Sequence, residues 1–233
     1  LVLMLVREGA AVAVLPLMRI RKRIGINSLR MLGAPHTQYA NLLTERGMLS
    51  AEDAALCITA LQQEPGVDQL LFDLVPQGSP LLQIMPQEAR VPLLENAACQ
   101  INLSRFQGAA SYEPSLGKKT QRSLRRATNQ LEQAGTLSFE VLHPEMPGYL
   151  ELVSRCLAMK TRWLAATGRI SQGLEQGGHG HFLASLRSAA DGEGPIAFAL
   201  RLDGKPIAIE LGYQQRGHYY AYMGAFDWNW RNI

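Results

Sequence analysis

The chain has 233 residues, 47% of them hydrophobic and 18% charged, which suits one large domain or two ordinary ones and excludes the disordered and fibrous classes. A formal net charge of +3 is too small for a dedicated nucleic-acid binder, so only local clusters of charge carry information. Cys57, Cys99 and Cys156 are odd in number and form no CxxC pair, which points away from a disulfide framework or a zinc site and toward a reducing, cytoplasmic setting.

The opening LVLMLVREG holds an apolar run of six residues with no basic leader, and it reads as a strand rather than a signal peptide. No stretch reaches the ~20 apolar residues of a membrane span. Residues 1 to about 33 read as a β-meander: LVLMLV, a turn at Glu8-Gly9, AVAVLPLMRIRKR, a turn at Gly25-Ile26-Asn27, then SLRMLG. Pro16 interrupts the second run and is expected at an edge or a bulge. Ser50 is placed to cap a helix from Ala51 to Glu64, with Glu52 and Asp53 in its first turn. QLLFDLV at 69 to 75 reads as a buried strand, followed by a helix at about 79 to 88 and a strand at about 98 to 104.

From Ser115 the pattern restarts. A helix is expected from about Leu116 to Ala134, closed by Gly135 as a left-handed C′ residue. LSFEVL reads as a strand. A second helix has Pro147 near its first turn and runs to Gly168, and a third covers about 181 to 190. IAFALRL and PIAIELGY alternate at period two around Asp203-Gly204, the pair favoured in a type I′ turn, and HYYAYMGAF follows Gln215-Arg216-Gly217. The result is a three-stranded antiparallel meander. The chain begins at Leu1 rather than methionine and stops at Ile233 just after an apparent strand, so both ends read as cut.

Four segments in this order, KKTQRSLRRATNQLEQAGTLSFEVL, LAMKTRWLAATGR, LRLDGKPIAIELGY and YYAYMGAFD, together resemble the GNAT-like acetyltransferase domain of proteins linked to cellulose and exopolysaccharide biosynthesis, a domain related to the Fem-type aminoacyltransferases. GAAVAVLPLMRIRK and LGAPHTQYANLLTE look like the upstream half of the same proteins. The resemblance implies an α/β (α+β) acyl-CoA N-acyltransferase fold, a mixed sheet flanked by helices in two GNAT-like halves, here 1–110 and 111–233, the second truncated. It also implies acetyl-CoA as acyl donor, no metal, and a pantetheine strand at Tyr219 to Ala225, with Tyr222, Met223, Gly224 and Ala225 facing the cofactor. The pyrophosphate loop of the family would fall just beyond Ile233, so the fragment alone is expected to be inactive.

Candidate site residues follow from chemistry. Glu210 sits between Ile209 and Leu211 with small Ala208 and Gly212 on its own face, where a carboxylate has room to take a proton from an acceptor amine; an exposed or cross-strand-paired glutamate is the plainer reading. Asp227, after the last strand, is weighed in the same way. Lys118, Lys119, Arg122, Arg125 and Arg126 lie opposite a stripe of Leu116, Thr120, Leu124, Ala127 and Leu131, with no acid before Glu132. Lys119, Arg122 and Arg126 are therefore candidates for binding an anionic sugar, a phosphate-bearing ligand or RNA, against the alternative of a solvated face.

Trp163 shares a helical face with Lys160 and reads as core or as a substrate platform. His179 and His181 in GGHGH lack acidic or cysteine partners at ligand spacing, so a Gly-rich loop is preferred to a metal site. His36 and Tyr39 fall in a loop after a strand, and His143 before Pro144 reads as a turn residue. The absence of GxSxG, P-loop and HExxH patterns argues against hydrolase, nucleotide-triphosphatase and zinc-protease chemistry.

Three functions fit. The first is transfer of an acyl group, most simply acetyl, from acyl-CoA to the amine of a sugar, nucleotide-sugar or peptide. The second is a Fem-type transfer from aminoacyl-tRNA, and the third a non-catalytic partner in polysaccharide assembly.

Overall fold

The computed structural model describes residues 1–21, 25–44, 49–91, 96–175, 178–189 and 192–233. Lys22 and Arg23 of the expected second strand, Gly177 of the GGHGH segment and Ala190 of the expected third helix lie outside them. The chain divides into two compact units, Leu1–Cys99 and Gln100–Ile233.

In the first unit the expected meander forms: β1 (Val2–Arg7), β2 (Ala10–Arg21) and β3 (Asn27–Met31), with β4 (Leu43–Thr44) added on β2. Pro16 is at neither an edge nor a bulge. Its carbonyl accepts from the Leu32 N–H, and a residue in a strand points N and O to the same side, so its missing donor falls where β2 changes partner from β4 to β3. Helix α1 (Ala51–Gln62) starts at a capping box: Ser50 Oγ accepts from Asp53 N–H, and the Asp53 carboxylate accepts from Ser50 N–H. Arg7 adds an ion pair at 2.6 Å, and these bonds hold the Asp53 carboxyl below the usual aspartate range.

The rest of this unit departs from expectation. QLLFDLV supplies only a two-residue strand, β5 (Gln69–Leu70), paired parallel to β3. Leu74 takes a left-handed φ of 52°, and the Asp73 side chain turns to Arg30, so the extended run ends. The helix expected to about 88 is α2 (Pro80–Ile84), stopped by extended Met85 and Pro86 before a 3₁₀ turn at Gln87–Ala89. No strand forms over 98–104, where the side chains are exposed and Leu103–Arg105 is a 3₁₀ turn.

The second unit contains α3 (Ala109–Tyr112), α4 (Lys118–Ala134), β6 (Leu137–Leu142), α5 (Tyr149–Thr167), α6 (Gln172–Glu175), α7 (His179–Ser185), β7 (Gly194–Leu202), β8 (Lys205–Gln215) and β9 (His218–Phe226). The four strands make an antiparallel sheet in the order β6-β7-β8-β9. Both hairpin turns have the two successive positive φ values of a type I′ turn: 48° and 77° at Asp203-Gly204, 49° and 72° at Arg216-Gly217.

Apolar residues of α5 recur at Tyr149, Leu152, Val153, Cys156 and Met159, one stripe of a helix. That stripe packs with Ala197, Ala199, Ile209, Leu211 and Ala225 to form the core of this unit. Gly148 and Gly168 bound the helix, and Pro147 stands directly before the first of them, near the first turn as expected.

Gly135 is not left-handed. Its φ of 165° is extended, and glycine is required there for a different reason: a Cβ would collide with the Asp203 carboxylate. That carboxylate accepts from Thr136 N–H at 2.8 Å, and the Asp203 N–H donates to the Thr136 carbonyl at 2.8 Å. The end of α4 is thereby tied to the β7–β8 turn. Helix α7 is shorter than expected because Leu186 is extended, and His179 opens it instead of lying in a Gly-rich loop; the His181 side chain lies outside the described atoms. His143 does sit in a turn, its carbonyl accepting from Met146 N–H.

Candidate functional site

Strand pairing places Val141, Phe198, Glu210 and Gly224 in one row across β6, β7, β8 and β9. The row lies on the face of the sheet opposite to that of Ala199, Ile209 and Ala225, which face α5. Phe139 stacks on Phe198 with centroids 5.9 Å apart, and Tyr219 meets Phe198 edge to face at 5.3 Å. Phe139 is 65% exposed and Tyr219 40%, so this aromatic face is open to solvent in the chain.

Glu210 lies within that face. Its Oε1 accepts a hydrogen bond from the Tyr219 hydroxyl at 2.5 Å. Space beside Glu210, expected at the small Gly212, is found also at its cross-strand partner Gly224 and is used unequally. At Gly212 it is filled by the Tyr219 ring, which a Cβ there would penetrate; at Gly224 it is open, and the nearest atom to a Cβ would be Glu210 Oε2 at 4.0 Å. The Tyr219 phenol is pushed above the usual tyrosine range, first by burial and then by its bond to Glu210. It therefore stays a donor at neutral pH.

Strand β9 is irregular beside this carboxylate. Leu211 pairs with Met223 and Gly212 with Ala221, so Tyr222 is an extra residue in β9 and forms a bulge. Tyr222 and Met223 consequently both pack against the α5 core. The Tyr222 hydroxyl lies 3.2 Å from His179 Nε2, its ring meets Tyr213 at 5.5 Å, and burial pushes its phenol up to about 12. Two adjacent carbonyls of β9 receive contacts from α5: Cys156 Sγ lies 3.9 Å from the Met223 oxygen and Lys160 Nζ 3.4 Å from that of Gly224. Burial pushes the Cys156 thiol up to about 12, with Lys160 opposing and Glu210 adding to the shift, so this cysteine is a core residue and not a nucleophile.

Bulged strands adjoin active sites often enough to be informative. Here the bulge lies on the outermost strand of the sheet, and no strand pairs with the far side of β9 among the described residues of 100–233.

Asp227 stands apart from Glu210. Its Oδ1 accepts from Asn229 N–H at 3.1 Å, capping the turn Trp228–Trp230, and faces Arg162 at 3.9 Å. Its backbone N–H donates to the Ile207 carbonyl at 2.7 Å. Trp163 is half-buried between two cations, Lys160 Nζ at 4.4 Å and the Arg169 guanidinium at 5.1 Å from the ring centroid.

Helix α4 buries only Leu131, while Leu124 is 50% exposed. The expected apolar stripe is covered only toward its C-terminal end. Lys118, Gln121, Arg122, Arg125 and Arg126 line a shallow cavity of about 420 Å³, and among the described residues no carboxylate stands within ion-pair distance of these cations or of Lys119. No group of three or more His, Cys, Asp or Glu side chains among the described residues could hold a metal ion. No helix among them is long and apolar enough to cross a membrane.

Residues 118–233 match the family model described as Acetyltransferase (GNAT) domain. The match supports a GNAT-like family for this span and acyl transfer as its general activity. No curated protein matches the chain.

Proposed function

We propose that this chain, similar to GNAT acetyltransferases over 118–233, is an N-acyltransferase that moves an acyl group from acyl-CoA to an amine. Acetyl is the simplest donor group, and the amine belongs to a sugar, nucleotide-sugar or peptide, with a role in exopolysaccharide biosynthesis. The observation that carries this reading is the bulged outer strand β9, whose Gly224 faces the Glu210 carboxylate.

In this mechanism the pantetheine amides pair with the backbone of Tyr222, Met223, Gly224 and Ala225, as an added strand pairs with a free edge. The neutral amine attacks the thioester carbonyl, its nitrogen forms the new bond to carbon, and the carbon–sulfur bond breaks to release the thiolate. Glu210 takes the proton that the nitrogen loses. Positioning of amine and thioester supplies much of the acceleration. Lys119, Arg122 and Arg126 on α4 hold anionic groups of a substrate, and Trp163 offers a ring face to the acceptor. Asp227 acts through the turn it caps.

The cationic face of α4 also favours a second reading, transfer from an aminoacyl-tRNA, whose phosphates that face would hold in a strongly salt-dependent way. A non-catalytic role in polysaccharide assembly is the third. One assay separates them: the protein is incubated with acetyl-CoA and a panel of amino sugars, nucleotide-amino sugars and peptides, with free CoA thiol and acceptor mass as readouts. Acetylated acceptor formed with release of CoA is the expected result. Transfer from aminoacyl-tRNA alone would favour the second reading, and no transfer from either donor would leave the assembly role.

A further inference from the structure

We infer that Tyr219, seated across Gly212, is the positioning residue for Glu210: it holds one carboxylate oxygen so that the other faces the acyl-donor strand. The inference rests on the reading of Glu210 as the base, and it adds a device that neither family similarity nor sequence spacing assigns.

Three observations carry it. The Tyr219 hydroxyl donates to Glu210 Oε1 at 2.5 Å, the short distance of a charge-assisted bond. The second oxygen, Oε2, is the atom nearest the open space over Gly224, at 4.0 Å from a Cβ built there. The Tyr219 ring is held in place on two sides: Phe198 meets it edge to face at 5.3 Å, and Gly212 beneath it has no side chain to displace it. A carboxylate on a flexible two-methylene stem otherwise samples several rotamers, and fixing one oxygen removes that freedom before the amine arrives. The Tyr219 hydroxyl takes no proton from the substrate and gives none. It remains the donor throughout, while Oε2 accepts the proton of the attacking amine.

The test uses the intact protein, acetyl-CoA and whichever acceptor of the amine panel turns over fastest. Tyr219→Phe, which keeps the ring and removes the donor, is expected to lower kcat by roughly tenfold with KM for acetyl-CoA unchanged. Gly212→Ala displaces the ring and is expected to lower kcat to a similar degree. The double variant should be no slower than the slower single one, because both changes break the same contact. A readout independent of turnover comes from tyrosine labelled with ¹³C at Cζ: the Tyr219 titration should move down toward the ordinary tyrosine range in Glu210→Gln.

If Tyr219→Phe turns over like wild type while Glu210→Gln does not, the positioning role is wrong and the base survives. If Glu210→Gln turns over like wild type, the base and its positioning residue fall together. A Tyr219 titration unaffected by Glu210→Gln would overturn the hydrogen bond itself.

Discussion

Glu210→Gln is expected to lower kcat for acetyl transfer by about 10²–10⁴-fold while leaving KM for acetyl-CoA near its wild-type value. The amide is close to isosteric and keeps an oxygen for the Tyr219 hydroxyl, so the aromatic face with Phe198 is preserved. What it loses is the capacity to take a proton. The donor contacts proposed for β9 are made by backbone atoms, which the substitution leaves alone, and a loss confined to kcat marks an interaction used only in the transition state. Steady-state kinetics with thermal melts of both proteins would measure it. A kcat within a factor of about two of wild type would remove Glu210 as the base.

Leu152→Ala is expected to destabilise the second unit by about 2–5 kcal/mol. Leu152 is 1% exposed and belongs to the cluster joining α5 to Ala197, Ala199, Ile209 and Leu211. Removing its branched end deletes buried apolar surface and leaves a void that the rigid strands behind it fill poorly. Leu150, two residues earlier on the same helix, is 52% exposed, and its change to alanine should cost no more than about 0.5 kcal/mol. Urea unfolding of the two variants gives the comparison. Equal effects would mean that the stripe of α5 does not hold the sheet.

The parts of the fold legible in the sequence are those with a clean period and a strong turn. Strands β7 and β8 alternate, and Asp203-Gly204 has the conformation its residue types require. The stripe of α5 has helical spacing and finds the core. QLLFDLV misled because an apolar run without alternation carries no statement of its own about extent. The extended run is ended by the left-handed Leu74 and by the turn of Asp73 toward Arg30, features set by the surroundings of the run. Gly135 misled in another way: its place after a helix suggests a left-handed cap, whereas its cause is the approach of Asp203, from a turn 67 residues on from Thr136.

The candidate site was legible in part for the same reason. Glu210 stood out because of its small neighbours, and Gly224 fell within the implied donor strand. Tyr219 could not be paired with Glu210 from spacing alone. The contact depends on the register of the β8–β9 hairpin and on the extra residue at Tyr222, which shifts every position between the bulge and the turn. The room beside Glu210 at Gly212 is taken up by the Tyr219 ring. The cations of α4 were visible at once, since five of them precede any acid, and the structure leaves them without carboxylate partners among the described residues.

The most direct measurement is calorimetric titration of acetyl-CoA into the intact protein. A saturable one-site isotherm is expected, with a dissociation constant between about 1 μM and 1 mM, the range usual for enzyme substrates. The isotherm should be unchanged in Glu210→Gln, which alters the proton acceptor and not the donor strand. Absence of saturable heat up to millimolar acetyl-CoA, in protein shown by its melt to be folded, would contradict acyl transfer from CoA as the function of this chain.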